Sequence, residues 1–248
     1  MKKAKKMLLA ASALALVSFG FGGCTAEDDD ENDMISNKGE VYSINYTNND
    51  ARDTSRGYKT YGVSRRNGAL VEFKFTDTNV SERSKAGVLG FIWELDDTAG
   101  KRSFFVLGLR QESGVPYYYI SKFSDVTDIG AYNFGAPVDD YAGNGAKEEV
   151  VASFTSLGSG FKTEKEVTVY ADIKPRVNGY DVAIYKTRAN AEAKTDAVAT
   201  KSIDSPNDGK EPAVKTLAFY ANVYQLKTLS GTWEILSKYG AAEVAEAE

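Results

Sequence analysis

Glu94 and Asp96 stand two residues apart in GVLGFIWELDD, residues 87–97, just behind Trp93. Two carboxyl groups on one side of a strand can cleave a glycosidic bond, one as nucleophile and one as acid/base, when they lie about 5–5.5 Å apart. Alternation sets Phe91, Trp93 and Leu95 on one face and Ile92, Glu94 and Asp96 on the other. The turn DDTAGK runs straight into SFFVLGLR, so the two segments form a hairpin. A register with Asp96 near Arg102 puts Trp93 against Phe105 and Glu94 against Phe104. Trp93 is then core, and the two acids face outward. Three uses compete for them: a catalytic pair, part of a binding groove, or solvated acids on an ordinary sandwich strand. The last is the simplest.

Tyr117 to Phe123, YYYISKF, raises a binding question. Tyr117, Tyr119 and Phe123 share one face, and Tyr118, Ile120 and Lys122 the other. A tyrosine has an apolar body and a polar tip, which suits sugar rings and protein surfaces, but aromatics also favour strands for their own sake. The residues set down for ligand binding are Glu94, Asp96, Phe104, Arg110, Tyr118 and Tyr119. Trp233, in a strand near the C-terminus, is assigned to the core. Loop carboxylates supply the calcium candidates, since hard cations take oxygen ligands: Asp125 and Asp128 in SDVTD, and Asp139 and Asp140 in PVDDY. None has EF-hand spacing, and polar loop residues that bond their own backbone explain them more simply. No resident cofactor is expected.

Histidine is absent. A Ser-His-Asp or Cys-His nucleophile of the usual kind is therefore excluded, and so are zinc sites of the His or Cys types. What remains is carboxylate chemistry, oxygen ligation of a hard cation, or binding alone.

Strands must position these groups. VEFKF sets Val71, Phe73 and Phe75 on one face against Glu72 and Lys74; EVTVYADIK sets Val167, Val169, Ala171 and Ile173 against Thr168, Tyr170, Asp172 and Lys174. LAFYANVY alternates in the same way from Leu217. PRVNG, residues 175–179, reads as a hairpin loop into YDVAIYK, because Asn-Gly suits a tight turn. With VYSINY, KTYGVS, SFFVLGLR, YYYISKF, VVASFTSL and TWEILSK, about eleven strands result, enough for two packed sheets. Only RANAEAK, residues 188–194, reads as helix outside the N-terminus, in a polar loop running to Pro212. The expectation is one all-β domain over residues 40–239, an antiparallel two-sheet sandwich, followed by a charged tail at 240–248.

The segment order and the phrases KEVTVYADI, GYDVAIYK and FYANVYQLKTLSGTWEIL resemble concanavalin A-like (laminin G-like) jelly-roll sandwiches. One jelly-roll glycosidase family carries Glu-x-Asp-x-x-Glu, or one residue fewer, on a concave strand. By that resemblance Glu94 matches the nucleophile and Asp96 the assisting acid. The third acid should fall at Ala99 or Thr98, and it is missing. The departure removes the acid/base and argues against an enzyme.

The N-terminus places the protein. Lys2, Lys3, Lys5 and Lys6 precede an apolar run from Met7 to Phe21, shorter than the roughly 20 residues that span a bilayer, so it reads as a secretory signal. FGGC, residues 21–24, resembles the lipobox of bacterial lipoproteins in the looser form of spirochaetes. The resemblance implies cleavage before Cys24, diacylglycerol on its sulfur and acylation of its amine, with the outer membrane as destination. Cys24 is the only cysteine, so the mature domain has no disulfide. Removing residues 1–23 takes four lysines and no acid from 30 basic and 35 acidic residues, leaving a net charge of −9. Nucleic acid is a poor partner for such a surface. The acidic run AEDDDEND makes residues 24–39 an extended tether. The function expected is a lipid-anchored surface or periplasmic binding module, for a glycan or for an envelope or host protein. The alternatives are a glycosidase-like domain using Glu94 and Asp96, and a structural envelope lipoprotein without a small ligand.

Overall fold

A computed structural model of the chain describes residues 36–38, 41–47, 54–64, 68–77, 87–96, 102–112, 114–127, 147–163, 166–176, 178–205, 215–224 and 228–239. All lie in the compact unit Asn32–Glu248. The signal segment, Cys24, the acidic run and the tail after Tyr239 fall outside the described residues. So do Asp128, Asp139 and Asp140, and the side chain of Asp96.

The strands in chain order are β1 (Ser36–Lys38), β2 (Val41–Thr47), β3 (Thr54–Ser64), β4 (Gly68–Asp77), β5 (Val88–Asp96), β6 (Arg102–Glu112) and β7 (Val115–Val126). They continue as β8 (Lys147–Ser156), β9 (Lys162–Thr163), β10 (Glu166–Arg176), β11 (Gly179–Tyr185), β12 (Ala199–Asp204), β13 (Lys215–Tyr224) and β14 (Thr228–Tyr239), with helix α1 (Arg188–Ala193) between β11 and β12. An eight-stranded sheet runs β1-β2-β14-β4-β10-β11-β12, with β9 on β10, and a six-stranded sheet runs β3-β13-β5-β6-β7-β8. Every described pairing is antiparallel. The molecule is an all-β, two-sheet antiparallel sandwich.

The period-two sets explain the core. Val71, Phe73 and Phe75 of β4 and Val167, Val169, Ala171 and Ile173 of β10 meet Phe91, Trp93, Phe105 and Phe219 of the other sheet in one buried cluster. Rings cross the gap between sheets: Tyr42 and Phe219 lie 4.7 Å apart, and Phe219 and Trp233 5.6 Å apart. Burying one such ring contributes roughly 1.5–3 kcal/mol. Trp233 is fully buried, as its strand position predicts.

Three local features depart from the sequence reading. Residues after α1, read as a polar loop to Pro212, form β12, which pairs with β11 from Gly179↔Asp204 to Ile184↔Ala199. Ser36–Lys38, placed in the tether, pairs with β2. The β10–β11 loop is tighter than PRVNG suggested, with Arg176 paired to Gly179. Gly179 sits at φ +153°, and a Cβ there would meet the Ile203 carbonyl oxygen at 1.9 Å, so glycine opens the way for β12.

Candidate functional site

Glu94 is held by a bulge. On β13, Thr216 pairs with Leu95 and Ala218 with Ile92, so two β5 residues, Trp93 and Glu94, face the single Leu217. Glu94 takes φ +55°, a left-handed conformation that costs an L-residue about 1–2 kcal/mol. The extra residue resets the alternation. Trp93 stays in the inter-sheet core, while Leu95 joins Ile92 in the cluster on the other face of the six-stranded sheet. The expected grouping of Leu95 with Trp93 is thus corrected, and so is the solvated position of Glu94. Its carboxylate is buried and accepts hydrogen bonds from Ser205 Oγ at 3.0 and 2.9 Å. Ser205 follows β12, so Glu94 reaches across to the opposite sheet. The hairpin register is as predicted at Trp93↔Phe105, whose rings stack at 5.5 Å. The β5–β6 ladder ends there, and Glu94 does not pair with Phe104.

The aromatics expected on an exposed face are buried. Phe104 is 1 %, Tyr118 8 % and Tyr119 4 % exposed. Tyr118 belongs to the inter-sheet core, whereas Phe104 and Tyr119 belong to the cluster on the outer side of the six-stranded sheet, where Phe104 stacks on Phe123 at 5.5 Å. Arg110 is buried on that side too. Its guanidinium lies 3.6 Å from the Phe154 ring centroid and 3.2 Å from Glu112 Oε1. The five ligand-binding candidates whose side chains are described, Glu94, Phe104, Arg110, Tyr118 and Tyr119, therefore do not form one accessible surface, because strand alternation and the bulge send them to different layers.

A row across that outer face explains two tyrosines. Tyr220 pairs with Gly90, Gly90 with Gly108, and Gly108 with Tyr119. A Cβ on Gly90 would lie 1.6 Å from Tyr220 Cε1, and one on Gly108 1.8 Å from Tyr119 Cε1. The two rings therefore lie over the glycines from either side, and their hydroxyls meet at 2.6 Å. This is packing of aromatic rings over glycine gaps.

The outer face of the eight-stranded sheet brings together polar groups that the sequence listed only strand by strand. Glu234 of β14 pairs with Glu72 of β4, Glu72 with Tyr170 of β10, and Tyr170 with Tyr185 of β11. Glu72 is buried and forms an ion pair with Lys74 at 2.5 Å. The Tyr170 hydroxyl also bonds Glu72; burial first, then that bond and the carboxylate charge, push the phenol up to about 12. Beside the row, Asp172 accepts from Lys194 Nζ at 2.7 Å and from the Tyr239 hydroxyl at 2.5 Å, and Lys194 also donates to Tyr239 at 2.8 Å. Helix α1 lies against this face: Ala191 packs with Leu70, Tyr170 and Tyr185. Arg188, at its first position, feels the charges of Glu234 and Glu72 as well as its bond to Glu192. The signal for this site was present as outward residues at alternate positions, but cross-strand register decides which of them meet.

Among the described residues, no group of three or more acids, histidines or cysteines could hold a metal ion. Asp125, the one described calcium candidate, sits half-buried in β7 at φ +60°.

A two-sheet β-sandwich with an outward polar row is the class that fold and site define. No protein-family model and no curated protein matches the chain. Among solved structures, a functionally unknown protein from Saccharomyces cerevisiae aligns with TM-score 0.42 at 8% identity, over 85% of this chain and 93% of that one. A carbohydrate-binding module, CBM66, from Bacillus subtilis aligns with TM-score 0.38 at 8% identity, over 83% of this chain and 91% of that one.

Proposed function

We propose that this protein is an exported lipoprotein, acylated at Cys24, whose sandwich binds carbohydrate through the outer face of the eight-stranded sheet. The observation that carries the reading is the straight row Glu234–Glu72–Tyr170–Tyr185. Like charges directly opposite on neighbouring strands destabilise a sheet. A local rule broken in this way marks a place kept for something other than stability. The row crosses four strands, about 14 Å at the usual strand spacing, a length that suits a short oligosaccharide. Glu72 and Glu234 accept hydrogen bonds, while Lys74, Arg188 and Tyr170 donate them. Sugar hydroxyls do both, so they match such a strip. The acidic balance of the chain disfavours anionic polymers.

The geometry at Glu94 does not favour catalysis. Both carboxylate oxygens there face Ser205 in the interior, so the group is poorly placed as a nucleophile.

A glycan array of neutral oligosaccharides, followed by calorimetry on any hit, tests the reading. The Glu72→Gln/Glu234→Gln double variant should bind at least about tenfold more weakly, a loss of about 1.4 kcal/mol. An array with no hit for the folded wild type would sink the proposal.

A further inference from the structure

Helix α1 holds six residues, far below the roughly 12–15 at which an isolated helix becomes even marginally stable in water. Only Ala191 among them is buried, with no acid in the first turn and no base in the last. Its local fixings are few. Thr187 caps the start by accepting from the Asn190 amide at 3.2 Å, and Arg188 pairs with Glu192 on the exposed side at 2.8 Å. The Thr195 amide donates to the Asn190 carbonyl at 3.0 Å.

The other fixing is to the sheet. Lys194 closes the helix in a left-handed conformation, φ 56° and ψ 37°. Its ammonium reaches Asp172 of β10 and Tyr239 at the end of β14, so one side chain ties the helix end to two strands. The partners are well matched for this. Asp172 is buried, with one oxygen taken by Lys194 and the other by Tyr239. What lies beneath the helix is the aromatic half of the row, Tyr170 at 8 % and Tyr185 at 3 % exposure.

We infer that α1 is a lid over Tyr170 and Tyr185, latched by Lys194 at Asp172 and Tyr239, and that it opens as a unit to admit a ligand along the row. The inference rests on the reading of the row as a binding site and adds its regulation. A segment with one buried residue, tied to the strands among the described residues by the Lys194 side chain, opens at a lower free energy than the strands it covers. The row is then open at rest only at its Glu234 end, beside Lys74, and fully open only when the latch is released.

Amide hydrogen exchange on the full chain tests the lid without a ligand, comparing wild type with Lys194→Met, which keeps most of the stem and removes the ammonium. The amides of residues 190–195 should exchange at least about tenfold faster in the variant, while those of β10 and β4 keep their protection. Tyr185, packed against Ala191 of the lid, should also be nitrated faster by tetranitromethane. Equal acceleration across α1, β10 and β4 would show that Lys194 supports the whole fold and would overturn the lid. So would no change in α1. If glycans bind and the α1 amides are unmoved, the lid falls alone. If no neutral glycan binds, the lid has nothing to guard and falls with the reading of the row.

Discussion

Tyr170 shows how one side chain on the row couples folding to pH. A tyrosine ionises near 10 in an unfolded chain, and here burial and the bonded Glu72 carboxylate raise the phenol to about 12. The folded protein therefore keeps a proton that the unfolded chain releases between these values. Below about pH 10 both states hold it and its contribution to stability is fully present; as pH rises from there toward 12, that contribution is lost. Tyr170→Phe removes this dependence, so the variant should gain on the wild type in urea unfolding as pH climbs from about 9 to about 11. A difference between the two that stays flat over that window would mean that the phenol titrates alike folded and unfolded. Glu94 teaches the complementary lesson. Its chemistry suggested a reactive acid, and its left-handed backbone gives it a buried hydrogen-bonded post between sheets instead.

At the scale of the element, alternation was legible and its interruptions were not. Val71 to Phe75 and Val167 to Ile173 fall on the faces that period two assigns. The bulges in β5, β14 and β8 depend on what the neighbouring strand offers, and no residue in WEL announces the one at Trp93 and Glu94. The glycines are similar. Gly90 and Gly108 look like weak points in their strands, yet each lies beneath a tyrosine ring from the next strand. Gly108→Ala, which raises strand propensity, should therefore destabilise the protein by about 1–3 kcal/mol through overpacking against Tyr119. Chemical denaturation measures it; an unchanged midpoint would mean that the ring swings aside freely. β12 escaped the sequence reading because ATKSID, residues 199–204, is mostly exposed and forms the sheet edge, where no apolar alternation is required.

For the whole molecule, the balance of charge and thiols bears on the proposed export and anchoring. On the proposed reading, cleavage before Cys24 would leave a net charge of −9, a sandwich without disulfides, and a single thiol for the anchor. Stability then rests on the two-sheet core and not on cross-links. Cys24→Ala should move the protein from the membrane fraction to the soluble fraction and abolish incorporation of a labelled fatty acid, with the same folded spectrum. Label retained by the variant would refute acylation at Cys24. Two or more acyl chains are needed for stable anchoring, so a protein with a single chain would partition between the fractions.

The all-β class, the pairing of Trp93 with Phe105, the inward and outward residues of β4 and β10, and the helix at residues 188–193 were legible in the order of residues alone. These follow from local periodicity and from turn residues, which the chain carries wherever it folds. That Glu94 is interior, that Phe104, Tyr118 and Tyr119 are buried, and that Glu234, Glu72, Tyr170 and Tyr185 stand in one row emerged with the folded sheets. Those facts depend on register between strands as far apart in sequence as β4 and β14. A one-residue bulge changes the face on which every later side chain falls.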